Sequence, residues 1–350
     1  MIGNFRLMIG NAAMNRLLPD LFTVLLISTV AVASVLPVHG PPARWFAMAT
    51  DLAIALLFFL HGARLSRDVV LAGMLHWRLH LMILLTTFAV FPALGLAVGF
   101  IPETILPASL YAGILFLCML PSTVQSSIAF TSIAQGNVSA AICAASLSNI
   151  VGMFATPLLA GLLLSPAHGA GFSITALETI VLQLLAPFLL GQLLQPLVGN
   201  WIRARRKLLS PVDRGSILMV VYLAFSDAVT EGLWHTLSVS NIATVLAVDM
   251  TILFTVLLLT TLSSRTLGFC TEDEITIAFC GSKKSLASGI PMANAIFAGP
   301  TASIGAVVLP LMFFHQAQLM ACAVIAHRYA ARLRNGSNEP NPVLTTSPSR

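Results

Sequence analysis

The stretch Cys280-Gly-Ser-Lys-Lys-Ser-Leu-Ala-Ser-Gly289 puts two lysines, Lys283 and Lys284, inside a run that otherwise reads as a membrane span. A charged side chain at that depth costs at least about 2.5 kcal/mol and marks a functional site by default. A second polar interruption, Pro121-Ser-Thr-Val-Gln-Ser-Ser127, falls at the matching place in the first half of the chain. Paired hydrophobic segments broken by small and polar residues point to the binding site of a secondary transporter.

The rest of the composition agrees with a membrane setting. Hydrophobic residues make up 57% of the chain and charged residues 9%, with a mean hydropathy of +0.91. A soluble domain carries about 25% charged residues, so that class is excluded and a multi-pass integral membrane protein in the lipid bilayer is expected. The basic pI of about 9.2 comes from residues scattered singly through short loops, not from a patch with exposed aromatics, so nucleic acid is excluded as a partner. Five cysteines are an odd number, and Cys118, Cys143, Cys280 and Cys322 lie in apolar runs as small hydrophobes. No disulfide framework, metal site or cofactor follows from them. The run Leu21 to Leu36 starts too late for a secretory signal and lacks a small-residue cleavage site, so it reads as the first span.

Ten segments are long enough to cross or nearly cross a hydrocarbon core of about 30 Å. They fall near 21–37, 45–62, 79–100, 105–134 (broken), 138–164, 176–199, 214–230, 239–263, 273–297 (broken) and 301–326. With both termini cytoplasmic, the inside carries fifteen of the 18 Lys and Arg residues and the outside only Arg44; the other two are Lys283 and Lys284. This alternation is what the positive-inside rule requires, and it places the chain in a plasma or inner membrane. The organisation expected is a cytoplasmic segment 1–20, one five-helix repeat over 21–164, a second over 176–330 and a disordered cytoplasmic tail over 335–350. Five spans per half make the second repeat inverted, and each broken span is fourth in its half. Each is followed by a short turn, at Gly136-Asn137 and at Gly299-Pro300.

Pro121 cannot donate a helical hydrogen bond, so the fourth span opens there and Thr123, Gln125, Ser126 and Ser127 bring polar side chains beside freed backbone groups. In lipid such a break is tolerated only where protein or water surrounds it. A binding site and a proline kink padded by hydroxyls are both open. The second break repeats the pattern with Gly281, Ser282, Ser285, Ser288, Gly289 and Pro291. Lys283 and Lys284 either bind an anion directly, or one neutralises Asp249, the deepest of the intramembrane acids, while the other lines water. Asp51 and Asp227 are the other acids within spans. His315, Gln316 and Gln318 make the tenth span polar, and Ser146, Ser148 and Asn149 hold the related place in the fifth. Serines there also read as small packing residues. His61, His76 and His80 are expected on a cytoplasmic, headgroup-facing loop with Arg64, Arg67 and Arg78. Motifs of soluble enzymes are absent, and the chain is not read as an enzyme.

At these residues the chain resembles the bile acid:sodium symporter family, in its sodium/bile acid cotransporter 7-like branch. The likeness rests on Phe58-Phe-Leu-His-Gly-Ala-Arg-Leu-Ser66, Leu120-Pro-Ser-Thr-Val-Gln-Ser-Ser-Ile-Ala-Phe-Thr-Ser132, Gly136-Asn137 and Phe279-Cys-Gly-Ser-Lys-Lys-Ser-Leu-Ala287, and runs over nearly all of 20–330. It implies an all-α membrane fold of ten helices in an inverted five-plus-five repeat, whose broken fourth and ninth helices cross in a core. A panel of the first, second, sixth and seventh helices would move against that core. It also implies a small or amphipathic organic anion as substrate, usually driven by sodium, with His315-Gln316 lining the crevice. At the family's sodium positions, however, this chain has Ser126-Ser127-Ile128, Ala141, Ala145 and Cys280 to Lys284. A site without a carboxylate and with two lysines is electrostatically unsuited to Na+.

The reading that follows is an organic-anion transporter, bile-acid-like or small carboxylate or sulfonate, working by alternating access. Thr123, Gln125, Ser126, Ser127, Lys283, Lys284, Ser285, His315 and Gln316 are its candidate substrate residues. Lys283, Lys284, Asp249, Ser146 and Asn149 are its candidates for coupling to sodium or protons. The alternative is a non-transporting regulator of ion homeostasis or envelope assembly that keeps the fold and acts through cytoplasmic loops, Arg203 to Arg214 above all.

Overall fold

The structure, a computed structural model, describes residues 21–64, 76–164, 185–230, 232, 238–297 and 304–336. The expected segments 1–20, 176–184 and 337–350 and the turn at 299–300 lie outside them. Among the described residues every regular element is helical. In chain order these are α1 (Leu21–Val35), α2 (Pro41–Arg64), α3 (Trp77–Leu85), a π-helical turn (Thr86–Val90), α4 (Phe91–Val98), α5 (Ala108–Met119), α6 (Gln125–Ile133), α7 (Val138–Leu164), α8 (Ala186–Ala204), α9 (Arg206–Thr230), α10 (Val239–Thr266), α11 (Thr271–Gly281), α12 (Leu286–Ile296) and α13 (Ile304–Gly336).

Among the described residues, five helical stretches are long and apolar enough to cross a bilayer: Pro41–Arg64, Trp77–Val98, Val138–Leu164, Val239–Thr266 and Ile304–Arg332. α1 and α5 are shorter apolar helices. Leu52, Leu158 and Leu258 are exposed on these helices, and Leu193 and Leu197 on α8, as lipid-facing side chains are, and the exposed Trp45, Trp77 and Trp201 lie near helix ends, where indole rings favour the interface. The molecule is an integral membrane protein.

Two helix groups divide the structure. α1, α2, α8 and α9 pack on one another, and α9 meets the remainder through α12 and α13. The tightest approach joins α2 to α8. A Cβ added at Gly62 would stand 2.1 Å from the Phe188 carbonyl oxygen, and one at Gly191 would stand 2.1 Å from that of Phe59. Small residues let helix backbones pack this closely in a membrane, where water exclusion contributes little.

Two boundaries differ from expectation. Arg203 to Arg214 is not a loop: α8 and α9 are separated only by Arg205, whose guanidinium covers the Trp201 ring at 4.5 Å. The last helix runs through Asn335 and Gly336, two residues into the expected tail.

Candidate functional site

The two interruptions are real breaks. α5 ends at Met119, Leu120 turns extended (φ −75°, ψ 153°), and α6 starts only at Gln125. α11 ends at Gly281, and α12 starts at Leu286 with the Ser285 hydroxyl accepting from the Ser288 amide at 3.2 Å as its N-cap. The broken pairs run antiparallel. At one end the Asn137 amide donates to the Glu272 carbonyl at 3.0 Å; at the other, the Phe116 and Phe297 rings meet edge-on at 5.5 Å. Between these ends the breaks touch, with the Ser285 amide donating to the Pro121 carbonyl at 2.9 Å.

A helix that stops in lipid strands its last carbonyls, and each must find a donor inside the protein. Here donors from across the core reach several of them. The Cys118 and Leu120 carbonyls accept from the Lys284 ammonium at 2.9 and 2.7 Å. Met119 accepts from the Thr156 hydroxyl at 2.8 Å, and Ser122 from the Asn149 amide at 2.9 Å. From the other side, the Phe279 carbonyl accepts from the Ser127 hydroxyl at 3.1 Å, and Cys280 from the Ser122 hydroxyl. The Lys284 backbone is clasped by Gln318, whose side chain accepts from its amide and donates to its carbonyl, each at 2.9 Å. The Ser122 amide donates to the Ser148 hydroxyl at 3.0 Å.

Lys284 takes its third acceptor from the π-helical turn. There the Phe91 amide bonds the Thr86 carbonyl, five residues back, instead of Thr87. The freed Thr87 carbonyl accepts from the Lys284 ammonium at 2.8 Å. Three carbonyls converging on one nitrogen match the three N–H donors of an ammonium. The Phe91 ring face closes the cage, 4.0 Å from Nζ to the centroid. Lys283 is also fully buried: its Nζ donates to the Ser126 carbonyl at 2.9 Å and lies over the Phe130 ring at 4.0 Å and Phe279 at 5.4 Å.

Neither lysine is paired with Asp249. That carboxyl is fully buried on α10 and neither of its oxygens has a hydrogen-bond partner. The neutralising pair expected as one alternative does not form. Asp51 and Asp227 are exposed on α2 and α9, in the other helix group.

The remaining candidates separate by access. Gln125 is exposed, and Ser126, Asn149, His315 and Gln316 are half-buried. Thr123 is buried and bonds the Ser126 and Ser127 hydroxyls at 2.7 and 2.9 Å. Asn149 also accepts from the Ser288 hydroxyl at 3.0 Å, and the His315 ring nitrogen Nδ1 meets the Gln318 amide at 2.9 Å. Ser146 is half-buried, while its neighbour Ser148 supplies the contact to the break. Sequence reasoning did not place Ser122, Thr87 or Thr156 in the site. Pro92, which leaves a carbonyl in the third span without a donor, is a signal that went unread there. The three histidines do not share one loop: His61 lies in the last turn of α2, His80 is buried in α3 and His76 stands just before that helix, while Arg67 lies outside the described residues.

Two helices broken against each other in the membrane, with polar side chains from α7 and α13 converging on the breaks, define a transporter-type core. The chain matches the SBF-like CPA transporter family over residues 20–331 and belongs to it. This is a family of transporters, not of enzymes. The chain is 52% identical to a protein of Pseudomonas aeruginosa, PA2026, over 96% of this chain and 99% of that one. It is 50% identical to the candidate symporter YfeH of Escherichia coli K12, over 89% and 92%. The mouse sodium/bile acid cotransporter 7 is 27% identical over 82% of this chain and 85% of its own length.

Proposed function

We propose that this protein is a secondary active transporter of organic anions in which the lysine ammoniums at the breaks stand where a diffusible cation would otherwise be needed. The observation that carries this reading is the Lys284 cage. Three carbonyl oxygens and an aromatic face form a setting suited to a cation, and the chain supplies that cation itself. With Lys283 beside it and no carboxylate bonded to either, the junction carries unopposed positive charge, which favours an anion in the adjoining crevice. Gln125, Ser126, Asn149, His315 and Gln316 are the polar groups with access to such a ligand.

In this reading the ten spans form an inverted five-plus-five repeat with both termini in the cytoplasm, in the inner membrane. Alternating access consists of α1, α2, α8 and α9 rocking against the core. The α9 contact with α12 and α13 supports this, because it joins the moving group directly to the helix that begins at the second break. Thermal unfolding of the purified protein across organic sulfonates, carboxylates and organic cations tests the binding step. A ligand at a hundred times its Kd stabilises by about 2.7 kcal/mol. Anions are expected to raise the melting temperature in sodium-free buffer. Stabilisation by cations alone, or by anions only with sodium present, would overturn the proposal.

A further inference from the structure

The corner where α8 meets α9 has no part in the site, yet it gathers basic residues that the composition suggested were scattered singly. Arg203, Arg205, Arg206, Lys207 and Arg214 fall within one short stretch whose only acid is Asp213. Helical bonding runs through the corner: the Arg205 amide donates to the Trp201 carbonyl and the Leu209 amide to the Arg205 carbonyl, each at 3.1 Å. One register therefore extends across it. The positions of Arg203, Lys207, Ser210 and Arg214 recur in it at i, i+4, i+7 and i+11, within about 60° of one another. The far side of the same register is apolar, with Val198, Ile202, Leu209 and Val212 packed with Leu60 and Ala63 of α2. A helix with one basic and one apolar face is suited to the membrane surface.

α8 also fixes the depth of the cluster. Leu193, Leu197 and Trp201 stand one turn apart and are exposed by 76%, 79% and 53%. A ridge of lipid-facing leucines that ends in an indole marks where a helix leaves the hydrocarbon for the headgroup layer. Arg203 to Lys207 follow within about 9 Å of Trp201 along the helix, at about 1.5 Å per residue. That is inside the distance of about 8–10 Å over which charges act at physiological salt. The Arg205 guanidinium lies over the Trp201 ring at 4.5 Å, and that of Arg214 over the Phe22 ring at the start of α1 at 5.8 Å. Both arginines are exposed, so aromatic rings steady them while their outer faces stay open to an acceptor.

We propose that the α8–α9 corner is a binding surface for the headgroups of anionic phospholipids. A guanidinium presents paired N–H donors to the oxygens of a phosphodiester, and several basic residues at the end of a span draw anionic lipid to it. The lipid tails lie along the exposed leucines of α8 while the headgroups meet the basic positions beyond Trp201. Because Ile202 and Leu209 pack with Leu60 and Ala63, headgroups held at the corner also hold the end of α2. The lipid thus steadies α2, α8 and α9 as one group. The proposal stands apart from the transport reading and needs no transported ligand.

Thermal unfolding of the full chain in a neutral detergent, titrated with phosphatidylglycerol, phosphatidylcholine or inorganic phosphate, tests the surface. Phosphatidylglycerol alone is expected to raise the melting temperature, and salt at about 1 M to abolish the rise. In the triple variant Arg203→Gln, Arg205→Gln, Lys207→Gln the phosphatidylglycerol concentration giving half the rise should increase about fivefold per charge removed, about a hundredfold in all. The double variant Arg203→Lys, Arg205→Lys keeps the charge and is expected to stay close to wild type. Native mass spectrometry of the wild type from mixed micelles reads the same contact without a variant, with phosphatidylglycerol retained in preference to phosphatidylcholine. Equal effects of the two lipids would overturn the proposal, as would a rise reproduced by inorganic phosphate. An unchanged half-point in the glutamine variant, or a lysine variant as weak as it, would do the same.

Discussion

Lys284 is the residue on which the two broken helices depend most. Its ammonium supplies hydrogen bonds to Thr87, Cys118 and Leu120 at once, so removing it strands three buried carbonyls. Each unsatisfied group costs about 1–3 kcal/mol, and the loss is only partly relieved by water entering the space. Lys284→Met is therefore expected to lower the melting temperature in detergent sharply, with Lys283→Met, which strands one carbonyl, costing less. Equal melting temperatures for the two variants would contradict the cage. The sequence exposed both lysines as anomalies because no other charge follows Asp273 and Glu274 at the start of that span. It did not reveal their partners, since a carbonyl is common to every residue and only the local helix geometry decides which ones are free. Ser146 and Ser148 make the same point: two residues on a helix are about 200° apart, so only one can face the break.

At the scale of elements, the breaks were legible because Pro121 and Gly281 fall among clustered hydroxyls in otherwise apolar runs. The π-helical turn was not, because a shift from i−4 to i−5 bonding leaves little trace in sequence beyond Pro92. Gly152 shows how closely the pieces must fit: a Cβ there would stand 2.6 Å from the Pro121 Cβ. Gly152→Val is expected to push α7 off the first break, pulling Ser148 and Asn149 from Ser122, and so to destabilise the fold by several kcal/mol, as overpacking about 1–3 kcal/mol and lost buried hydrogen bonds combine. Gly191→Leu acts elsewhere, separating α2 from α8, and is expected to weaken the panel while leaving Lys284 caged. Limited proteolysis of the two variants would distinguish these outcomes by cutting first in different helix groups. Arg203 to Arg214 was misread as a loop because its charges resemble a polar connection; a helix running past the membrane surface carries the same composition.

For the whole molecule, the helix grouping and the loop charges make one statement about direction. Cys270 is exposed beside the N-terminus of α11, at the end where Arg265 and Arg78 lie, which the proposed topology puts in the cytoplasm. A membrane-impermeant maleimide is expected to label Cys270 in inside-out vesicles and not in right-side-out ones. The reverse pattern would invert the proposed topology. The membrane class was legible from composition and the breaks from paired polar interruptions, while the family was legible only through the resemblance carried by 58–66, 120–132, Gly136-Asn137 and 279–287. The proposed substrate is defined only by its charge, since its shape would be set by half-buried side chains from α6, α7 and α13 that meet only in the folded protein. The most direct measurement of the central claim, that fixed lysines take the place of a diffusible cation, is uptake of labelled organic anion by vesicles containing the purified wild-type protein, with sodium replaced throughout by choline. Uptake that persists unchanged without sodium is the predicted result. Uptake abolished by that replacement and restored by sodium would contradict the account.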